Sequence, residues 1–231
     1  MIPIRDTTIS KGIPFVTLSL IMLNAAMFVE EITIGPEIIQ LYSTSPLDIS
    51  MWITKGNGDF FSIHKAIFVS GFIHGGYIHF LGNMLFLYVF GPGAERAFGK
   101  LRYAVFYCLA IFVAFYTHTA IYPHSHIPVI GASGAIAAVM GSYLIFYPRA
   151  KIVTIIPIFF FIKIVEVPSV IFILGWFILQ GANGYLSIGS QTSIAWWAHI
   201  GGFTMGALVG LRYRLFSNPL GPVGVPSHVK K

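Results

Sequence analysis

The sequence predicts an all-α membrane protein: a polytopic bundle of six transmembrane helices with a long, partly structured first outer loop. Composition is the first observation behind this. Of 231 residues, 56% are hydrophobic and only 10% are charged, with Phe alone occurring 21 times, whereas a soluble domain carries about 25% charged residues. Second, the apolar residues gather into six runs, and crossing a bilayer as a helix takes roughly 17–25 largely apolar residues. Third, the basic residues sort to one side of those runs. The length suits one membrane domain rather than two units.

Residues 1–12, MIPIRDTTISKG, read as a short polar cytoplasmic N-terminus. The run Ile13–Val29 is followed by no small-residue cleavage site, so it is expected as a first transmembrane helix rather than a removed signal. Glu30 to Gly76 then forms the outer loop, whose ITKGNGDFFSIH suggests a partly structured segment resting on the membrane surface. The second span, Tyr77–Gly91, is short and spotted with polar residues, but Gly75-Gly76 and Pro92-Gly93 punctuate it. Tyr103–Tyr122, Ile130–Tyr147, Pro168–Gly184 and Ile194–Leu211 complete the six. Ile152–Val165, about 14 residues with Pro157 and Lys163 inside, is expected to be interfacial rather than a seventh span. The membrane domain is therefore 13–215, followed by a disordered cytoplasmic tail, 216–231.

With the N-terminus inside, twelve of the 14 Lys and Arg residues lie on the cytoplasmic side and only Lys55 and Lys65 outside. That asymmetry satisfies the positive-inside rule for six spans with both ends inside. A seventh span would put the basic C-terminal cluster outside. The net charge of +6 is thus explained by topology and calls for no nucleic acid. A lone cysteine, Cys108, excludes an internal disulfide framework and a Cys-rich metal site, and reads as a small apolar filler.

Orientation lets polar groups on different helices be compared by depth. Ser133 lies near the outer end of the fourth span, in PVIGASGAIAAVMGSYLIFYP. His199 lies about one and a half turns in from the outer end of the sixth, and His79 and Asn83 near the outer end of the second. Polar side chains at this depth are costly and face the protein interior or a water-filled cavity. Each alone has an ordinary explanation: a hydroxyl bonded one turn back, or a His or Asn bonding between helices. Their convergence at one level favours chemistry. Ser with His is a nucleophile and base, and Asn with a second donor is what an oxyanion needs. His79 and Asn83, four apart, share one helix face.

Small residues would allow the necessary approach. Gly202-xxx-Gly206-xxx-Gly210 lies on the sixth span, and Gly134-xxx-Ala138 with Ala137-xxx-Gly141 on the fourth; such stripes let helix backbones touch in lipid. Other chemistries fit less well. GASGA ends in Ala135 rather than the final Gly of G-x-S-x-G, and no HExxH occurs. No Asp or Glu lies at the level of His199, and no Lys within an outer half-helix, so a Ser–His dyad is the economical reading.

GASGA, AHIGGFTMG and FIHGGYIHFLGNMLFLYVFGPGAERAFG, in this order and spacing, resemble the rhomboid intramembrane serine proteases over about Phe68 to Gly210. The resemblance implies a six-helix bundle with a water-filled cavity open to the outer side. It implies Ser133 as nucleophile and His199 as its base and acid, without cofactor or metal. His79, Asn83 and the Ser133 backbone N–H would form the oxyanion hole, supported by Gly131, Gly134, Gly202 and Gly206. Glu95 and Arg96 match a structural pair, and His74 a structural histidine before the second span. Trp176, Phe177 and Gln180 match the helix bordering a lateral opening, which implies a gating role. The substrates would be transmembrane segments of membrane proteins, cleaved near the outer face of a prokaryotic plasma membrane. Two features depart from the pattern. Ala137 stands where some relatives stack an aromatic ring on the histidine, and Trp52 in the first loop has no arginine beside it.

Two other readings stay open. A catalytically silent relative that binds membrane clients would keep the fold. A metal-binding or solute transporter would use the outer histidines His64, His74, His79, His118, His124 and His126, but it leaves Ser133 unexplained.

Overall fold

The computed structural model describes residues 1–8, 12–158, 161–190 and 194–217; the expected tail lies outside them from residue 218 onward. Helices α1 (Phe15–Ile34), α5 (Tyr77–Phe98), α6 (Lys100–Ile121), α7 (Ser133–Phe146), α8 (Ser169–Leu186) and α9 (Trp196–Ser217) coincide with the six apolar runs. Of these, α1, α6 and α8 are long and apolar enough to cross a membrane. The outer loop carries three short helices, α2 (Glu37–Tyr42), α3 (Pro46–Lys55) and α4 (Phe60–Ser70). Their starts are written locally. Ser45 and Asp48 form a reciprocal capping box around Pro46, and Asp59 accepts from the Ser62 N–H to cap α4.

α7 is the hub. Eleven of its 14 residues are buried, which fits a helix apolar on every face. α9 lies against it with almost no side chain between. A Cβ on Gly202 would stand 2.0 Å from the Gly134 carbonyl oxygen, and one on Gly206 2.0 Å from that of Ala138. One on Gly141 would meet the Phe203 oxygen at 2.3 Å. The backbones therefore touch at Gly202, Gly206 and Gly141.

Two expectations are corrected. The second span does not stop at Gly91: α5 runs on through Pro92 and Gly93 to Phe98. Both glycines are contact points, since a Cβ on Gly91 would meet Thr17 and one on Gly93 the Tyr143 ring, each at 2.7 Å. A proline inside a packed membrane helix is tolerated because its neighbours hold it. The extension places Glu95 at the start of α1, where its carboxylate accepts from the Val16 and Thr17 N–H groups and the Thr17 hydroxyl at 2.8–3.0 Å. Pro14 offers α1 no side-chain cap, so α5 supplies the cap from 78 residues away.

The second correction concerns the all-α class. The chain is mostly helical, but β2 (Lys151–Ile158) and β3 (Phe161–Pro168) form an antiparallel hairpin over the stretch expected to be interfacial. The N-terminal residues expected to be a plain polar stretch add β1 (Ile2–Asp6), pairing Ile2 with Ile155 and Asp6 with Ile152. Repeated Ile and Val explain the choice, because β-branched side chains fit a pleated surface better than a helix. The Tyr143 hydroxyl donates to Asp6 Oδ2 at 2.7 Å and fastens β1 under α7.

Candidate active site

Ser133 is the first residue of α7, and its position is set by the turn before it. Gly131 has φ +115°, a conformation glycine adopts without strain, and its N–H donates to the Ser70 carbonyl at 2.9 Å. Ala132 caps the helix without a side-chain bond, so the first N–H groups of α7 have no partner within the helix. Ser133 itself is partly exposed.

His199 sits in the first turn of α9. The α7–α9 contact at Gly134 and Gly202 holds it opposite Ser133, with Nε2 2.7 Å from Ser133 Oγ. Its Nδ1 lies 2.7 Å from Gln180 Oε1 on α8. An amide oxygen can only accept, so Nδ1 carries the proton and Nε2 is left bare toward the serine hydroxyl. That is the tautomer a general base requires.

A second histidine is set the opposite way. Gly75 donates its N–H to His79 Nδ1 at 3.2 Å, which leaves the proton of neutral His79 on Nε2. A Cβ on Gly131 would lie 2.7 Å from His79 Cε1 and Nε2 and 3.6 Å from Ser133 Oγ, so only glycine lets this ring edge and the serine share the space. Asn83, one turn further along α5, is buried, and its Nδ2 has no hydrogen-bond partner among the described residues. An unpaired buried donor is expensive, and in a native fold it asks for a functional explanation.

The three residues expected at a lateral opening all face α9. Trp176 lies 6.0 Å from the His199 ring between centroids, Phe177 stacks on Phe203 at 4.1 Å, and buried Gln180 holds His199. Trp196 presents its edge to the same histidine at 6.1 Å. Ala137 is buried and offers no ring to this chemistry as an aromatic would. His74 is 2% exposed; its N–H donates to Glu31 Oε1 on α1 at 2.9 Å, and its ring packs on His79 and Phe80. Burial, helped by the neighbouring His79, pushes its pKa down to about 4, so it is neutral at ordinary pH.

Sequence reasoning did not foresee Glu31 as a partner of His74, nor Gln180 as the partner of His199. The available signal for the second was an amide in an apolar helix, one turn from Trp176. His64 bonds Phe60 and Tyr116 and packs on Trp52, while His118 and His124 line a hollow of about 370 Å³ with Tyr122 and Ser190. Among the described residues no three His, Cys, Asp or Glu side chains come together as a metal-binding group.

A family model described as Rhomboid domain matches residues 63–216. Three relatives from Arabidopsis thaliana align over most of the chain. RHOMBOID-like protein 4 is 31% identical over 77% of this chain and 39% of its own length. RHOMBOID-like protein 1 is 29% identical over 77% and 40%. RHOMBOID-like protein 12, mitochondrial, is 29% identical over 86% and 58%. The chain therefore spans between about two fifths and three fifths of these relatives. All three come from a plant, so they lend no support to a prokaryotic membrane.

Proposed function

The chain belongs to the rhomboid family of integral membrane proteins, and we propose that it is an intramembrane serine endopeptidase working by a Ser133–His199 dyad. The observation that carries this reading is the 2.7 Å contact between His199 Nε2 and Ser133 Oγ, with the histidine in its base tautomer. The substrates are transmembrane segments of membrane proteins.

His199 Nε2 takes the Ser133 proton as Oγ attacks the scissile carbonyl carbon. The resulting oxyanion is met by the free Ser133 N–H at the positive end of α7, by His79 Nε2–H and by Asn83 Nδ2–H. Imidazolium then protonates the leaving amine nitrogen and the peptide bond breaks, giving an acyl-enzyme. Water, deprotonated by His199, attacks the ester and restores the serine.

Access for water follows from helix length. Fourteen residues of α7 span about 21 Å at 1.5 Å each, less than the roughly 30 Å of hydrocarbon. With its inner end held by the sheet, its outer end at Ser133 stops below the surface, where a hollow can hold water. A substrate helix has its carbonyls bonded internally, so it must unwind first, and Gly- or Pro-weakened segments are preferred.

Cleavage of a reporter with a Gly-containing transmembrane segment, in liposomes, tests the reading. The wild type cleaves, Ser133→Ala does not, and chelators change nothing. Cleavage that survives Ser133→Ala would overturn the dyad. Failure of both proteins across several segments would favour a client-binding relative.

A further inference from the structure

The geometry points to Gln180 as the residue that positions His199 for base catalysis, an assignment that rests on the dyad reading above. Behind the dyad stands an amide rather than a carboxylate. The titratable groups that face His199 are His79 from α5 and His118 from α6, α7 presents Ser133, and α8 presents the amide of Gln180. From α7 the residue one turn after Ser133 is Ala137, fully buried, which brings no ring to the imidazole. Position and tautomer must therefore be set from α8 and by the flanking tryptophans.

Gln180 does this through one atom. Its Oε1 is 2.7 Å from Nδ1, and its side chain is 7% exposed, so the amide is shielded from the competing water that would weaken the bond. The bond removes the wrong tautomer, in which Nε2 would carry the proton and be unable to accept from Ser133. It also fixes the tilt of the ring, since Trp176 and Trp196 approach at 6.0 and 6.1 Å and constrain its sides rather than its nitrogens. Gln180 touches neither serine nor scissile bond; it acts through His199. A neutral acceptor differs from a carboxylate in one measurable respect. It orients the ring without adding a negative charge that would favour the imidazolium.

The test uses the full chain in liposomes with the same reporter, measuring kcat and KM against pH for the wild type, Gln180→Glu, Gln180→Leu and Ser133→Ala. Gln180→Leu keeps the bulk but loses the acceptor, and its kcat is expected to fall at least tenfold with KM little changed, a part of the roughly 10²–10⁴-fold that acid–base catalysis supplies. Gln180→Glu restores the acceptor and adds charge. It is expected to recover most of the lost kcat and to move the acid limb of the kcat/KM profile to higher pH. A residue that merely packs or gates would give equal losses in both variants and no shift of the limb, and that result overturns the inference while leaving the dyad standing. Cleavage retained in Ser133→Ala overturns the dyad itself. Thermal unfolding of each variant separates misfolding from lost orientation.

Discussion

Asn83 is where stability and activity should part. Its buried Nδ2 has no partner among the described residues, so replacing it with an apolar side chain of similar size removes a desolvation cost of about 1–3 kcal/mol. Asn83→Leu is expected to hold or raise the melting temperature while kcat for reporter cleavage falls by about 10²-fold, as for other oxyanion donors. A clear loss of thermal stability with cleavage intact would reverse the assignment. His74 makes a prediction about pH. Its folded-state pKa of about 4 lies below the ordinary 6.5, so the unfolded chain binds the proton more readily. The associated stability is complete above pH 6.5 and is lost as pH falls through 4, by about 3 kcal/mol in all at 1.36 kcal/mol per unit. Unfolding of the wild type and His74→Gln across that window should diverge, with the wild type falling faster.

The contact between α7 and α9 is a device in which packing and chemistry require the same thing. Because a Cβ on Gly206 would stand 2.0 Å from the Ala138 oxygen, Gly206→Leu forces the helices apart. It is expected to cost roughly 3 kcal/mol or more and to abolish cleavage by separating His199 from Ser133. Glu95→Ala provides the contrast: it strips the cap from α1 but leaves the site alone, so stability should drop by about 1–3 kcal/mol with kcat unchanged below the melting transition. The glycine stripes and the serine, histidine and asparagine levels were legible because membrane helices announce themselves by length and by what interrupts them. The hairpin was not, since IVTIIPI and FIKIVEV are as apolar as a helix and only pairing distinguishes them. β1 was still less visible, because five residues become a strand only on meeting Ile152–Ile155, about 150 positions away. Gln180 was singled out by family likeness for a gate, and its bond to His199 exists only once α8 docks on α9.

Contacts between distant parts of the chain set three conditions on how it can thread a bilayer. β1 pairs with β2, so the N-terminus and the α7–α8 connection share a side, which demands an even number of crossings among α1, α5, α6 and α7. Thr44 bridges Val129 and the Leu47 N–H donates to Ser125, so the first loop and the α6–α7 connection share a side across α5 and α6. Arg102, opening α6, donates to the Tyr213 hydroxyl near the end of α9, which is satisfied by four crossings from α6 to α9. Six crossings meet all three conditions at once and would set twelve of the 14 Lys and Arg residues on one side. Dropping any single crossing, α7 for instance, breaks at least one of them. The prediction is an accessibility pattern. With Cys108 replaced by Ala, single cysteines at Lys55 and at Lys163 should differ in sealed, right-side-out vesicles. A membrane-impermeant maleimide should label Lys55→Cys at once and Lys163→Cys only after the vesicles are opened. Equal labelling from outside would place the β2–β3 hairpin on the outer face and break the six-crossing topology, however well the dyad itself survived.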